Sequence, residues 1–93
     1  MSQKRIAIFG STGSIGKQTL EVIAAHPELF TAEILTAFSN ESLLIEQALL
    51  FVPNIVVIGD ESKYPIVKKA LENKPIKVFA GEDALVQVAG MDC

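Results

Sequence analysis

At 93 residues the chain has room for one small domain, which excludes an enzyme carrying its own substrate lid and metal site within this length. Hydrophobic residues make up 49% of it, enough for a packed core, so a disordered segment is excluded as well. Eight Lys and Arg stand against eleven Asp and Glu, and no basic run exceeds Lys4-Arg5 or Lys68-Lys69, which argues against a nucleic-acid partner.

Lys4-Arg5 precede an apolar stretch that lasts only from Ile6 to Phe9, too short for a signal peptide. No later run approaches the ~18 apolar residues of a membrane span, so no membrane partner is expected. Apolar runs and amphipathic stretches then alternate as repeated strand-helix units. This predicts an α/β fold: a Rossmann-like doubly wound parallel sheet covered on both faces. Arg5 to Phe9 reads as a central strand buried on both sides. Ile15 to Ala25 reads as a helix with Ile15, Thr19, Leu20, Ile23 and Ala24 inward, ended by His26-Pro27.

The second unit is a strand over Ala32 to Phe38, then a helix capped by Ser39 or Asn40, with Leu44, Ala48 and Phe51 inward and Pro53 as its stop. A third strand, Ile55 to Ile58, ends at Gly59-Asp60. The helix after it holds Pro65 in its first turn and turns Ile66, Val67, Ala70 and Leu71 inward. The fourth strand spans Lys77 to Ala80, and its helix carries Ala84, Leu85, Val88 and Ala89 inward, with Glu82 and Asp83 at the positive end of its dipole. A full doubly wound nucleotide fold has six strands in two halves. The chain therefore reads as truncated to about four strands and four helices, one half plus the start of the second. Its one cysteine, Cys93, is the last residue; no internal disulfide or thiol zinc cluster can form, which fits a reducing cytoplasm.

Gly10-Ser11-Thr12-Gly13-Ser14-Ile15-Gly16 lies between the first strand and first helix, where a phosphate meets backbone N–H groups and the helix dipole. Gly10 permits the turn off the strand, Gly13 lets a pyrophosphate approach the backbone, and Gly16 lets helix and strand pack closely. Ser11, Thr12 and Ser14 add hydroxyl donors. An ATP-binding Walker loop is excluded, because it needs four residues between its glycines, and here five separate Gly10 from Gly16, with Gln18 rather than Ser or Thr after Lys17.

The end of the second strand discriminates between cofactors, since an NAD site offers a carboxylate there to the ribose 2′-hydroxyl. Ala37-Phe38-Ser39-Asn40 offers none, and a hydroxyl and an amide can donate to phosphate, which tilts the reading to NADP(H). Glu41 and the lack of Lys or Arg pull the other way, and Ser39-Asn40 read equally well as a helix cap. His26, the sole histidine, reads as capping a carbonyl at a helix end. Asp60-Glu61 read as the cap of the next helix rather than metal ligands, and Lys68-Lys69 as a solvated face. No nucleophile-base pair is present, so no catalytic or metal-ligating residue is assigned.

Gly10 to Gly16, followed by Thr19-Leu20, Ile23, His26-Pro27, Phe30, Ala37, Asn40, Leu43-Leu44, Gln47, Phe51, Pro53 and Asp60, closely resembles the N-terminus of 1-deoxy-D-xylulose 5-phosphate reductoisomerases, nearly end to end and in register. The resemblance implies that residues 1–93 are the N-terminal part of an NADP-binding Rossmann-like domain, with catalytic and C-terminal domains absent. It implies an NADPH-dependent rearrangement and reduction of 1-deoxy-D-xylulose 5-phosphate to 2-C-methyl-D-erythritol 4-phosphate in non-mevalonate isoprenoid biosynthesis. Thr12, Gly13, Ser14 and Ile15 would line the NADPH pyrophosphate, and Phe38, Ser39 and Asn40 would surround its 2′-phosphate end. The complete protein would be a cytoplasmic homodimer acting on a phosphosugar, with Mg²⁺ or Mn²⁺ held by residues beyond Cys93, and this piece alone would not catalyse. Many members have Gly-Lys or a similar pair where this chain has Phe38-Ser39, so a neutral hydroxyl replaces a cationic contact and NADP preference is weaker. Two rivals remain: a standalone, non-catalytic nucleotide-binding module, and another NADP-dependent oxidoreductase such as a semialdehyde dehydrogenase.

Overall fold

A computed structural model describes residues 3–90, so the expectations attached to Cys93 lie outside the described residues. Four strands, β1 (Lys4–Ile8), β2 (Phe30–Ala37), β3 (Ile55–Ile58) and β4 (Lys77–Ala80), alternate with helices α1 (Ser14–Ala25), α2 (Glu41–Phe51), α3 (Tyr64–Ala70) and α4 (Glu82–Ala89). A single 3₁₀ turn (Glu61–Lys63) leads into α3. The strands form one parallel sheet in the order β1-β2-β3-β4.

Parallel strands need crossover helices, and right-handed crossovers stepping in one direction put those helices on one face. Accordingly Leu20 and Ile23 of α1, Leu44 and Ala48 of α2 and Val67 of α3 pack with Ile8, Leu35, Ala37, Val56, Ile58 and Val78 in the larger core. The last helix, α4, lies on the other face, where Val88 packs with Ile34, Ile55 and Val57. The α/β fold with helices on both faces is therefore present. The fourth strand differs from expectation: it extends the sheet outward from β3 and does not begin a second half beside β1. Within the described residues β1 is thus an edge strand; its Ile6 and Ala7 are only half-buried, while every residue of β3 is buried.

One irregularity sets which side chains face which core. Ile6 pairs with Ala32 but Ala7 pairs with Ile34, so Glu33 is an extra residue on β2. The bulge rephases the alternation: Ala32 and Leu35 face the same core although they are three apart, and Ile34 faces the opposite one. The Glu33 carbonyl accepts the Asn54 N–H at 2.9 Å, and its carboxylate accepts the Asn54 amide at 2.8 Å.

Several inward assignments shift by one helical position. The buried residues of α1 are Gly16, Leu20 and Ile23, with Ile15 and Ala24 exposed; in α3 Val67 is buried and Ile66 and Ala70 are exposed; in α4 Ala89 is exposed. Short helices resting on a twisted sheet bury a narrower stripe than a periodicity of 3.6 marks out. His26 caps α1 through its backbone, whose N–H donates to the Val22 and Ile23 carbonyls; its side chain instead lies 3.9 Å from the Glu28 carboxylate.

Val52 ends α2 in the left-handed region at φ 47, a conformation that crowds a β-branched side chain, before the buried Pro53. Because Val52 is 41% exposed, little burial is lost on truncation. Replacing Val52 by Gly is expected to raise stability by up to about 1 kcal/mol in thermal or urea unfolding, and a lower midpoint would count against strain at this position.

Candidate functional site

The C-terminal ends of β1, β2 and β3 meet at one edge of the sheet, and the two groups of residues singled out from the sequence lie there. Leaving β1, the chain turns at Gly10, whose φ of 73 suits glycine. The Gly13 N–H closes the turn on the Gly10 carbonyl at 3.0 Å. A Cβ on Gly16 would come within 2.4 Å of the Gly10 carbonyl oxygen and 2.6 Å of the Ser11 Cα, so only glycine lets α1 start this close to the strand end. At Gly13, in extended conformation, a Cβ would sit at an ordinary 3.4 Å from the same oxygen. The two glycines therefore do different work: Gly16 is required by the fold, whereas nothing in the protein itself requires Gly13.

The first N–H groups of any helix lack intrahelical partners. At α1 neither an N-cap side chain nor a first-turn acid takes their place. By contrast, the Asn40 side chain caps α2 by accepting the Leu43 N–H at 3.3 Å, and α4 carries Glu82 and Asp83 in its first turn. The α1 N-terminus is thus open, with its dipole and N–H groups directed at the exposed loop and suited to an anion. Gly13, Ser14 and Ile15 are exposed and Thr12 half-buried; the Ile15 side chain, 80% exposed, flanks this edge instead of joining the core.

Ser11 does not belong to the donor set. It is fully buried, its hydroxyl donates to Gln47 Oε1 at 2.7 Å, and Gln47 Nε2 returns a hydrogen bond to the Ser11 carbonyl at 2.9 Å. Its N–H donates to the Thr36 carbonyl at 2.8 Å, and the Gly10 N–H donates to the Thr36 hydroxyl at 2.9 Å. The loop is thereby fastened to β2 and α2. The sequence reading missed Thr36 and Gln47 as supports. The one signal for Gln47 is a polar residue within the otherwise apolar stripe of Leu44, Ala48 and Phe51.

Phe38, Ser39 and Asn40 follow β2 on the same edge, all exposed. The Phe38 ring and the Leu85 side chain both lie against Gly59, where a Cβ would come within 2.5 Å of the ring and 3.0 Å of Leu85. Asp60 caps the 3₁₀ turn, accepting the Ser62 N–H at 3.0 Å and its hydroxyl at 2.6 Å, bonds that hold its carboxyl below the usual range. The Lys63 ammonium donates to the Glu41 carboxylate at 3.0 Å, and this bond is the main cause of the lowered Glu41 pKa. Beside these groups, an open cavity of about 510 Å³ runs between Phe38, Gly59, Ser62 and Gly81, bordered by Asp60, Glu61, Glu82 and Asp83. Among the described residues no group of three or more His, Cys, Asp or Glu is arranged to hold a metal ion, so the residues present do not fit a divalent metal. Nor is any described helix long and apolar enough to cross a membrane.

Residues 6–93 match the family model described as 1-deoxy-D-xylulose 5-phosphate reductoisomerase. The enzyme of that name from Bacteroides thetaiotaomicron is 55% identical over 86 residues, which cover 92% of this chain and 22% of the relative. The structure of the Zymomonas mobilis reductoisomerase in complex with NADPH superposes with a TM-score of 0.92 at 34% identity, covering 97% of this chain and 24% of that one. A reductoisomerase structure in complex with magnesium gives 0.88 at 27% identity, covering 98% of this chain and 23% of that one. The chain spans less than a quarter of the length of each.

Replacing Gln47 by Leu keeps the volume but strands the buried Ser11 carbonyl and leaves the Ser11 hydroxyl only its longer bond to the Thr36 carbonyl, at 3.3 Å. A loss of about 1–3 kcal/mol per stranded group is expected in thermal unfolding of the full-length protein. An unchanged midpoint would show that the loop does not depend on this clamp.

Proposed function

The chain belongs to the 1-deoxy-D-xylulose 5-phosphate reductoisomerase family, and from that premise we propose that it is the N-terminal, NADPH-binding part of such an enzyme. The observation that carries the proposal is the open N-terminus of α1 behind a loop that fold contacts alone do not explain, with Gly16 demanded by packing and Gly13 left free. The residues fit the cofactor. The N–H groups of Ser14 and Ile15 would hold the pyrophosphate, aided by the Thr12 and Ser14 hydroxyls, with Gly13 leaving room for it. The Ile15 side chain would shield that contact from water. Phe38, Ser39 and Asn40 would border the 2′-phosphate end, the exposed Phe38 ring offering a flat apolar wall.

Bound there, NADPH supplies the hydride that reduces the rearranged sugar phosphate. What this chain contributes is position: the Ser11–Gln47 clamp and the Gly10 turn fix the loop before the cofactor arrives, so little ordering cost falls on binding. In the full-length protein the reaction is the conversion of 1-deoxy-D-xylulose 5-phosphate to 2-C-methyl-D-erythritol 4-phosphate. The divalent metal, Mg²⁺ or Mn²⁺, and the sugar phosphate would be held by residues outside this chain, in a cytoplasmic homodimer. A non-catalytic binding module is favoured by no specific observation.

Two substitutions separate the site from the fold. Gly13→Ala is expected to leave the melting temperature of the full-length protein unchanged while weakening NADPH by about tenfold or more, read by nucleotide fluorescence. Gly16→Ala, with backbone in the way, is expected to destabilise the domain outright. Full NADPH affinity in a folded Gly13→Ala protein would remove the proposed site. Independently, the full-length enzyme should oxidise NADPH only when 1-deoxy-D-xylulose 5-phosphate and a divalent metal are both supplied; turnover of an unrelated aldehyde without metal would overturn the activity.

A further inference from the structure

The residues that follow β2 pose a charge problem for a nucleotide carrying a 2′-phosphate. Phe38, Ser39 and Asn40 hold no cation, and the next residue, Glu41, is an acid that by itself would repel a group bearing about −1.5 to −2 charges. The structure supplies the missing charge from elsewhere in the chain. At the end of β3 the Gly59 N–H donates to the Ala37 carbonyl and the Asp60 N–H to the Phe38 carbonyl, both at 2.8 Å, which seats the 3₁₀ turn alongside the end of β2. The Lys63 N–H then donates to the Asp60 carbonyl at 3.0 Å, and the side chain reaches back to Glu41. Lys63 is 22 residues from its partner in sequence, so no local motif announces it.

We propose that Lys63 is the cation that selects NADPH over NADH, and that Glu41 serves to hold it beside Ser39 and Asn40. The inference rests on the nucleotide site proposed above and assigns it a residue outside the β2–α2 connection. Both partners are partly sheltered, with side-chain exposures of 31% for Lys63 and 21% for Glu41, so the pair is less screened than a free surface bridge. An ammonium has three donors and needs only one for Glu41; the other two remain for phosphate oxygens, and a lysine serves a phosphate as a point charge. Asp60 opposes the effect, but its Oδ1 is committed to Ser62. The neighbouring lysines Lys68 and Lys69 stand in the last turn of α3, at the other end of that helix. Without Lys63, Glu41 and Asp60 would face the phosphate unopposed.

The test measures dissociation constants for NADPH and for NADH with the full-length protein, by calorimetry or nucleotide fluorescence, in four forms: wild type, Lys63→Gln, Glu41→Gln and Lys63→Arg. Lys63→Gln is expected to weaken NADPH by ten- to a hundredfold while NADH changes less than threefold. Lys63→Arg should keep the preference, and Glu41→Gln should increase it, since the repelling charge goes and the cation stays. Loss of NADPH preference in the wild type should also follow rising salt. Equal weakening of both nucleotides in Lys63→Gln, or an unchanged preference, overturns the role of Lys63 and leaves the site standing. A wild-type protein that binds neither nucleotide overturns the site and this inference with it. Should Lys63→Gln melt early, the Glu41→Gln ratio still decides: a raised NADPH preference supports the role of Lys63, and an unchanged preference, which a merely structural pair would give, overturns it.

Discussion

The site depends on how closely α1 can begin against the end of β1. The Gly10 carbonyl stands 2.4 Å from where a Gly16 Cβ would be, so the absence of one methyl group lets the helix start within a single turn of the strand. That approach directs the open N-terminus of α1 at the sheet edge and leaves its N–H groups to the loop side. The loop is too short to supply its own core, and its rigidity comes from neighbours. Thr36 receives the Gly10 N–H, and Ser11 is buried whole and exchanges hydrogen bonds with Gln47. A buried polar group is stabilising only when satisfied, and among the described residues no buried side-chain polar atom lacks a partner.

The bulge at Glu33 connects this local constraint to the sheet. Without the extra residue, Leu35 and Ala37 would turn away from α1 and α2, and Thr36 would lose the face from which it meets Gly10. With it, the end of β2 presents Thr36 to the loop, Ala37 to the larger core and Phe38 to the α4 side, over Gly59. The loop after β1, the end of β2, α2 and the turn after β3 thus converge on one edge through parallel strands that all end there, the arrangement in which open α/β sheets present their ligand sites.

Much of this is legible in the sequence because it is local. Short apolar runs, glycine spacing and proline stops mark all four strands and helices, and Asn40 and Asp60 cap the elements their chemistry suits. Four features are not local and were not legible. Strand order is one: periodicity announces β4 but says nothing of whether it joins β3 or β1. The bulge is another, since an alternation broken at Glu33 looks like ordinary noise. Ser11 has the composition of a phosphate donor, and only its burial against Gln47, 36 residues away, removes it from that role. Lys63 is invisible for the same reason, because its meaning comes from a partner on another element. Ile15 is instructive in the opposite sense: its spacing suits the core, yet its side chain is exposed at the edge beside the loop.

The most direct measurement is a crystal structure of the full-length protein with NADPH bound. The account predicts the pyrophosphate at the start of α1, with its oxygens accepting hydrogen bonds from the backbone N–H groups of Ser14 and Ile15 and the Ser11–Gln47 pair unchanged beneath it. A dinucleotide bound elsewhere, with its pyrophosphate away from the Gly10–Gly16 loop, would contradict it.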